Sequence, residues 1–143
     1  MLKKKEAVQH AKTLLASVGL PADFAQKYPH ELSGGQLQRV VIARAAGLKP
    51  DLIICDECTS ALDVSIQQQV IQLLVDLKKN IPFSIIFITH DLALAESICD
   101  RICVMHAGEI VEVIESGNIV RDARHPYTKE LIQAGFPLDN MHQ

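Results

Sequence analysis

The 143-residue sequence carries no excess of positive charge, no long apolar run and no cysteine framework. Its formal net charge of −3 gives no support to nucleic-acid binding. No apolar stretch approaches the roughly 18 residues of a membrane span, so no direct membrane insertion is expected. The start, MLKKKEAVQH, is basic but has no apolar h-region, and a secretory signal is not expected. The four cysteines are Cys55, Cys58, Cys99 and Cys103. Two of them, Cys55 and Cys103, sit inside apolar runs, which suits a reduced cytosolic chain better than a disulfide scaffold. There is no internal repeat and no low-complexity segment. What remains is 48% hydrophobic and 22% charged, the balance of one soluble globular domain with material for a core.

Periodicity sets out the elements. Residues 4–18 read as an amphipathic helix with Val8, Leu14, Leu15 and Val18 apolar, stopped by Gly19 and Pro21. Leu37, Val40, Val41, Ala45 and Leu48 form one apolar helix face that ends before Pro50. The run LIIC (52–55) has the unbroken pattern of a strand buried on both faces, and FSIIFIT (83–89) repeats it. Between them lies a long helix with Ile66, Val70, Leu73, Leu74 and Leu77 on its inner side. A short helix over 91–99, a hairpin turning at Ala107-Gly108, and a closing helix with Pro126 in its first turn complete the chain. Alternating strands and helices predict an α/β domain with mainly parallel strands.

Three constellations could carry chemistry. In ELSGGQLQRV, Ser33 with Gln36 three residues later is a capping box, which explains those two residues without any ligand. It leaves Gly34 and Gly35 unexplained, although glycine costs up to about 1 kcal/mol in a helix. Side-chain-free residues at a helix N-terminus let an anion such as phosphate approach the backbone N–H groups, so capping alone and phosphate contact both stay open. In LIICDECTSALD, Asp56 and Glu57 follow a strand directly, and ligands of open α/β sheets bind beyond the carboxyl ends of strands. One carboxylate can hold hydrated Mg²⁺ and the other can orient or deprotonate a water. The plain alternative is a pair of solvated acids. In IIFITHD, His90 follows the next strand and is expected at the same sheet edge as Asp56 and Glu57, where a lone histidine would otherwise be a cap or a surface residue.

Together these stretches resemble the ATP-binding proteins of ABC transporters. LSGGQLQR (32–39) is similar to the signature motif, LIICDE (52–57) to the Walker B motif, SALD (60–63) to the D-loop and ITHD (88–91) to the H-loop, all in the family's order. HPYTKEL (125–131) further resembles the ATPase subunits of oligopeptide, dipeptide and nickel importers. The resemblance implies a P-loop NTPase-like ABC ATPase core, incomplete, with part of the helical signature subdomain. Its parts would be a signature region over 1–50, a Walker B, D-loop and H-loop core over 51–115, and an importer-type extension over 116–143. By the same resemblance, Ser33, Gly34, Gly35 and Gln36 would contact an ATP held by a second nucleotide-binding domain, in a homo- or heterodimer. Asp56 would hold Mg²⁺ through water, Glu57 would be the general base, Asp63 would communicate across the dimer, and His90 would contact the γ-phosphate. Transmembrane permease subunits would be the further partners, at the cytoplasmic face of the cell membrane.

Two departures stand out. Cys58 occupies the position where the family usually has proline. The seven glycines begin no G-x-x-x-x-G-K-[ST] loop, so the Walker A motif is missing, with the adenine-stacking aromatic and the Q-loop. The resemblance places the Walker A strand between FSIIFIT and RICVMH, so its absence implies a gap in mid-sheet. The chain alone is then expected to be unstable, to rearrange, or to take a strand from a partner. Two other readings stand beside an ATPase subunit. One is a non-catalytic fragment that pairs with a Walker A-containing chain or is a remnant without activity. The other is a zinc module, since Cys55-x-x-Cys58 and Cys99-x-x-x-Cys103 nearly mimic a Cys₄ site, although Cys55 is expected in the strand's packing.

Overall fold

A computed structural model describes residues 4–135. Met1 to Lys3 and Phe136 to Gln143, including the end of the expected C-terminal extension, lie outside the described residues. The chain divides into two compact units, Met1–Ile86 and Phe87–Gln143. This boundary falls within a strand, whereas grouping by motif places divisions at 50/51 and 115/116.

The first unit begins with helix α1 (Lys4–Ser17), followed by 3₁₀ turns at Ala22–Gln26 and Pro29–Glu31. Helix α2 (Gly34–Gly47) leads into strand β1 (Leu52–Asp56), helix α3 (Val64–Asn80) and strand β2 (Ser84–Ile88). Helix α2 packs against both α1 and α3. The core of this unit includes Val18, Ile42, Ala46, Cys55, Val70, Leu74 and Phe83, each under 9% exposed. Burying a side chain of leucine or valine size contributes about 1.5–3 kcal/mol, so these few residues carry much of the stability of this unit. On α2 the inner face is Ile42, Ala43 and Ala46, not the stripe that periodicity marks. Leu37, Val41 and Leu48 of that stripe are exposed, with Leu48 beyond the helix end as its C-cap.

Strands β1 and β2 form a two-stranded sheet. Their starts are tied by the Ser84 N–H donating to the Asp51 carbonyl at 2.9 Å, so they run the same way. That direction requires the crossover that α3 provides. The sheet corrects one sequence expectation: neither strand is buried on both faces. Leu52, Ile54 and Ile86 are 46%, 61% and 49% exposed, while Cys55 faces inward. An unbroken apolar run marks a strand that can be covered twice; here helices cover one side.

In the second unit, helix α4 (Leu92–Ile98) precedes an antiparallel hairpin of β3 (Arg101–His106) and β4 (Glu109–Glu115). The α/β arrangement is the expected one: the described residues hold one parallel pair and, at the Ala107-Gly108 turn that the sequence marks, this antiparallel pair. Ala107 (φ 51°) and Gly108 (φ 86°) make the two-residue turn with positive φ at both positions, whose twist matches the flanking strands. A bulge lies between Val104 and Met105, where Val111 is the extra residue of β4. A short turn of helix, α5 (Ile119–Asp122), and helix α6 (Pro126–Gly135) bring Ile119 and Ile132 into one buried cluster with Ala95, Ile102, Val104 and Ile114.

The HPYT segment is held by a carboxylate that the sequence pattern does not single out. Glu112 of β4 accepts from the Arg124 N–H (2.7 Å) and the His125 N–H (3.2 Å), capping the entry to α6. The His106 and Tyr127 rings meet at a tilt of 37° with centroids 4.0 Å apart, and Thr128 is fully buried. Burial works against the Glu112 charge, but the groups around it, the Arg124 and His125 N–H donors among them, outweigh it and hold the carboxyl below its ordinary range.

Candidate functional site

The turn before α2 is built by local hydrogen bonds. Glu31 Oε2 accepts from the Tyr28 N–H at 2.6 Å, and the Tyr28 and His30 rings stack at 5.7 Å. Ser33, extended at φ −67° and ψ 161°, is the N-cap of α2. Its hydroxyl oxygen accepts from the Gln36 N–H (3.3 Å), and Gln36 Oε1 accepts from the Ser33 N–H (3.0 Å). The capping box expected from spacing is therefore present. It leaves much unused. The Ser33 hydroxyl still has its proton to donate, the Gln36 amide still has its NH₂, and the Gly34 and Gly35 N–H groups have no helical acceptor.

The two glycines differ. A Cβ on Gly34 would meet only Leu62 Cδ2, at an ordinary 3.5 Å. A Cβ on Gly35 would lie 2.5 Å from Ile66 Cγ2, so α3 leaves no room there. Gly35 thus has a packing reason that a local sequence pattern cannot display. Leu62 and Ile66 flank Asp63, so the structure brings Ser33–Gln36 and the Asp63 turn into one neighbourhood. Asp63 is the N-cap of α3, accepting from the Ile66 N–H (3.0 Å) and the Ser65 hydroxyl (2.7 Å). Those bonds, the serine's first, hold its carboxyl below the usual range.

Asp56 and Glu57 are both exposed at the carboxyl end of β1, as expected. Glu57 has φ 45°, the left-handed region that a side chain makes costly. Its carbonyl accepts from the Ser60 N–H (3.1 Å) and the Ser60 hydroxyl (2.9 Å), closing a tight turn. Thr59 within that turn is buried. Interaction with the Cys58 side chain, then burial, pushes the Cys55 thiol up, and the same interaction lowers Cys58 against its own partial burial.

Asp56 offers one hard oxygen donor, which fits an ion that keeps several of its waters. Among the described residues no group of three or more His, Cys, Asp or Glu side chains gathers into a fuller metal site, and none of the four cysteines is in a disulfide. His90 is exposed and lies in the second unit, just past the end of β2. There the Thr89 hydroxyl accepts from the Asp91 N–H (3.0 Å), and Asp91 caps α4 by accepting from the Leu94 N–H (2.9 Å). Arg39 is a residue that motif spacing passes over. Its guanidinium donates to the Val18 carbonyl (3.1 Å) and to Gln69 Oε1 (2.9 Å), tying α2 to α1 and α3.

A serine-capped, glycine-started helix beside an aspartate turn, with two acids at the end of a parallel strand, is the arrangement that the ABC resemblance implies. The fold agrees. The chain superposes with a TM-score of 0.77, at 26% identity, on an ATP-binding cassette of an ABC transporter solved in its ADP conformation, covering 92% of this chain and 52% of that one. A dimeric cassette in a post-hydrolysis state with ADP and Pi gives a TM-score of 0.68 at 33% identity, covering 80% of this chain and 49% of that one. Residues 2–60 match the family described as ABC transporter. A protein of Brucella ovis named as a peptide import ATP-binding protein is 48% identical over 131 residues, 92% of this chain and 41% of its own length. A Bacillus subtilis protein named as an oligopeptide transport ATP-binding protein is 51% identical over 121 residues, 85% of this chain and 37% of its own length. The chain is thus a relative of the ATP-binding proteins of ABC transporters, and it spans about 41% of the length of the first of these curated relatives. No helix among the described residues is long and apolar enough to cross a membrane.

Proposed function

We propose that the chain forms the signature-bearing portion of the ATP-binding subunit of an ABC importer for peptides or nickel. It would act at the cytoplasmic face of the membrane with permease subunits and a second nucleotide-binding domain. The observation that carries this reading is the start of α2, where donors left over from the capping box sit beside the Asp63 turn. The Ser33 hydroxyl and the Gly34 and Gly35 N–H groups would donate to the γ-phosphate of an ATP held by the partner domain. Helix α2 adds its positive N-terminal dipole to that contact. The Gln36 NH₂ would face the ribose side, and Asp63 would lie at the contact between domains.

Glu57 would accept the proton of the attacking water, and His90 would donate to the γ-phosphate. Asp56 is the residue that would hold Mg²⁺; the ion, when bound, neutralises charge on the phosphates. Most of the rate would come from positioning and electrostatics, since phosphoryl transfer needs little covalent help.

A second reading, a fragment without activity of its own, rests on the seven glycines that begin no G-x-x-x-x-G-K-[ST] loop. Titration with Mg-ATP separates the two. The chain alone is expected to bind no ATP tightly. Added to a Walker A-containing relative whose own signature serine is replaced, it should restore hydrolysis, and the Ser33→Ala chain should not. Stoichiometric ATP binding by the isolated chain, lost on Glu57→Gln or His90→Ala without unfolding, would contradict the partner-site reading. Failure to restore hydrolysis while still binding the relative would support the inactive fragment.

A further inference from the structure

We propose that the outer face of the β3–β4 hairpin is a docking surface for a second copy of this chain, giving a weak twofold dimer. Ile102, Val104 and Ile114 point into the buried cluster beneath the hairpin, so alternation turns their neighbours outward. On β3 these are Arg101, Cys103 and Met105; on β4 they are Glu115 and Val113. Val111 packs against the cluster, and the bulge turns Ile110 out opposite Met105. Met105, Ile110 and Val113 are 59%, 60% and 54% exposed, and Cys103 is exposed with them. The hairpin is therefore apolar on both faces, while the described helices of this unit cover only one. A contiguous apolar patch bordered by charge marks an interaction surface.

The strand register says what fits this face. Cross-strand partners are Arg101 with Glu115, Cys103 with Val113 and Met105 with Ile110. A twofold axis lying between two hairpins, along their strands, sets β3 of one copy over β4 of the other. Each residue then faces its own cross-strand partner in the second copy: Arg101 over Glu115, Cys103 over Val113, Met105 over Ile110. Opposite charges meet at one end and apolar side chains meet along the rest, so the face is its own complement. An axis running across the strands would instead set Arg101 over Met105 and Glu115 over Ile110, desolvating charges without partners. Face-to-face sheets pack about 10 Å apart with strands within about 30° of each other, close enough to keep this correspondence. The patch is far smaller than the roughly 20–30 residues that a standard interface presents on each side, so micromolar or weaker affinity is expected.

The test is sedimentation equilibrium of the full chain over a concentration range of roughly 1 to 500 µM. The mass should rise from monomer to dimer and stop there, since a closed twofold contact cannot grow. Met105→Asp and, independently, Val113→Lys should each weaken the dimer at least about tenfold with an unchanged circular dichroism spectrum. Arg101→Glu and Glu115→Arg should each lose dimerisation alone, because like charges then face each other. Mixed together, those two variants should regain it, because each copy offers the charge that the other lacks. The mixture controls for folding, since the same two chains are monomeric apart. A monomer throughout, a dimer untouched by Met105→Asp and Val113→Lys, growth past the dimer, or a mixture that stays monomeric overturns the proposal. So does a chain that is monomeric alone yet binds a Walker A-containing relative through this face, because the surface then serves a partner of different sequence. The readout is mass, so the result stands whether or not the chain supports ATP hydrolysis.

Discussion

Replacing each signature glycine by alanine should move stability in opposite directions. At either position alanine removes the helix penalty of glycine, a gain of at most about 1 kcal/mol. At Gly34 nothing opposes it, because the new methyl meets only Leu62 at 3.5 Å. At Gly35 the methyl would stand 2.5 Å from Ile66 Cγ2, about 1 Å inside normal contact. Overpacking of that kind costs about 1–3 kcal/mol, so with the full helix gain Gly35→Ala should be destabilising by up to about 2 kcal/mol net. Urea denaturation followed by circular dichroism reads the difference, and double-mutant cycles identify its source. Ile66→Leu removes the β-branch methyl that clashes and should recover most of the loss; Ile66→Val keeps that methyl and should recover none. Equal midpoints for the two glycine variants, or a Gly35–Ile66 coupling below about 0.3 kcal/mol, would refute the packing account. A ligand role for Gly34 is read separately, as loss of partner-site nucleotide contact with folding intact.

Three further outcomes are expected. Glu57→Gly should be more stable than Glu57→Ala by about 1 kcal/mol, the reverse of their usual helix order, because φ 45° at this position favours glycine; equal thermal midpoints would contradict the left-handed turn. The Glu112 carboxyl is held below its ordinary range in the fold, so its contribution is present above the unfolded value and lost as pH falls through the folded one. Glu112→Gln should therefore lower the thermal midpoint at neutral pH and converge with the unaltered chain in acid, and an equal deficit at all pH values would sink the electrostatic account. Amide exchange should be fast along the strand edges that lack a partner, since β1–β2 and β3–β4 are each two-stranded, whereas full native-like protection across β2 and β3 in a monomer would refute the open-edge picture.

Most elements were legible because each is written in local pattern. Gly19 and Pro21 end α1, Ser33 and Gln36 start α2, and Ala107-Gly108 turn the hairpin. The order of motifs along the chain likewise places Asp56 and Glu57 at a strand end. What local pattern cannot carry is contact between residues far apart in sequence. Ile66 against Gly35, Arg39 against Val18 and Gln69, and Glu112 under the His125 turn are all of that kind. Composition also misleads about burial. Leu52, Ile54 and Ile86 have the character of a doubly covered strand, yet that character describes the surroundings they can fill and not the number of layers on them. The left-handed φ at Glu57 has no signal in residue type, because glycine or asparagine would be the usual marker.

The guanidinium fork of Arg39 makes the front of α2 part of a mechanical linkage. One of its nitrogens grips the end of α1 at Val18 and another grips Gln69 on α3, so any axial rotation of α2 must stretch or break bonds of 3.1 and 2.9 Å at once. A push on Ser33–Gln36 is therefore delivered to two neighbouring helices as displacement instead of being absorbed by a loose end, and Arg39→Lys, with a single ammonium in place of a planar fork, would leave α2 free to turn about whichever grip remained.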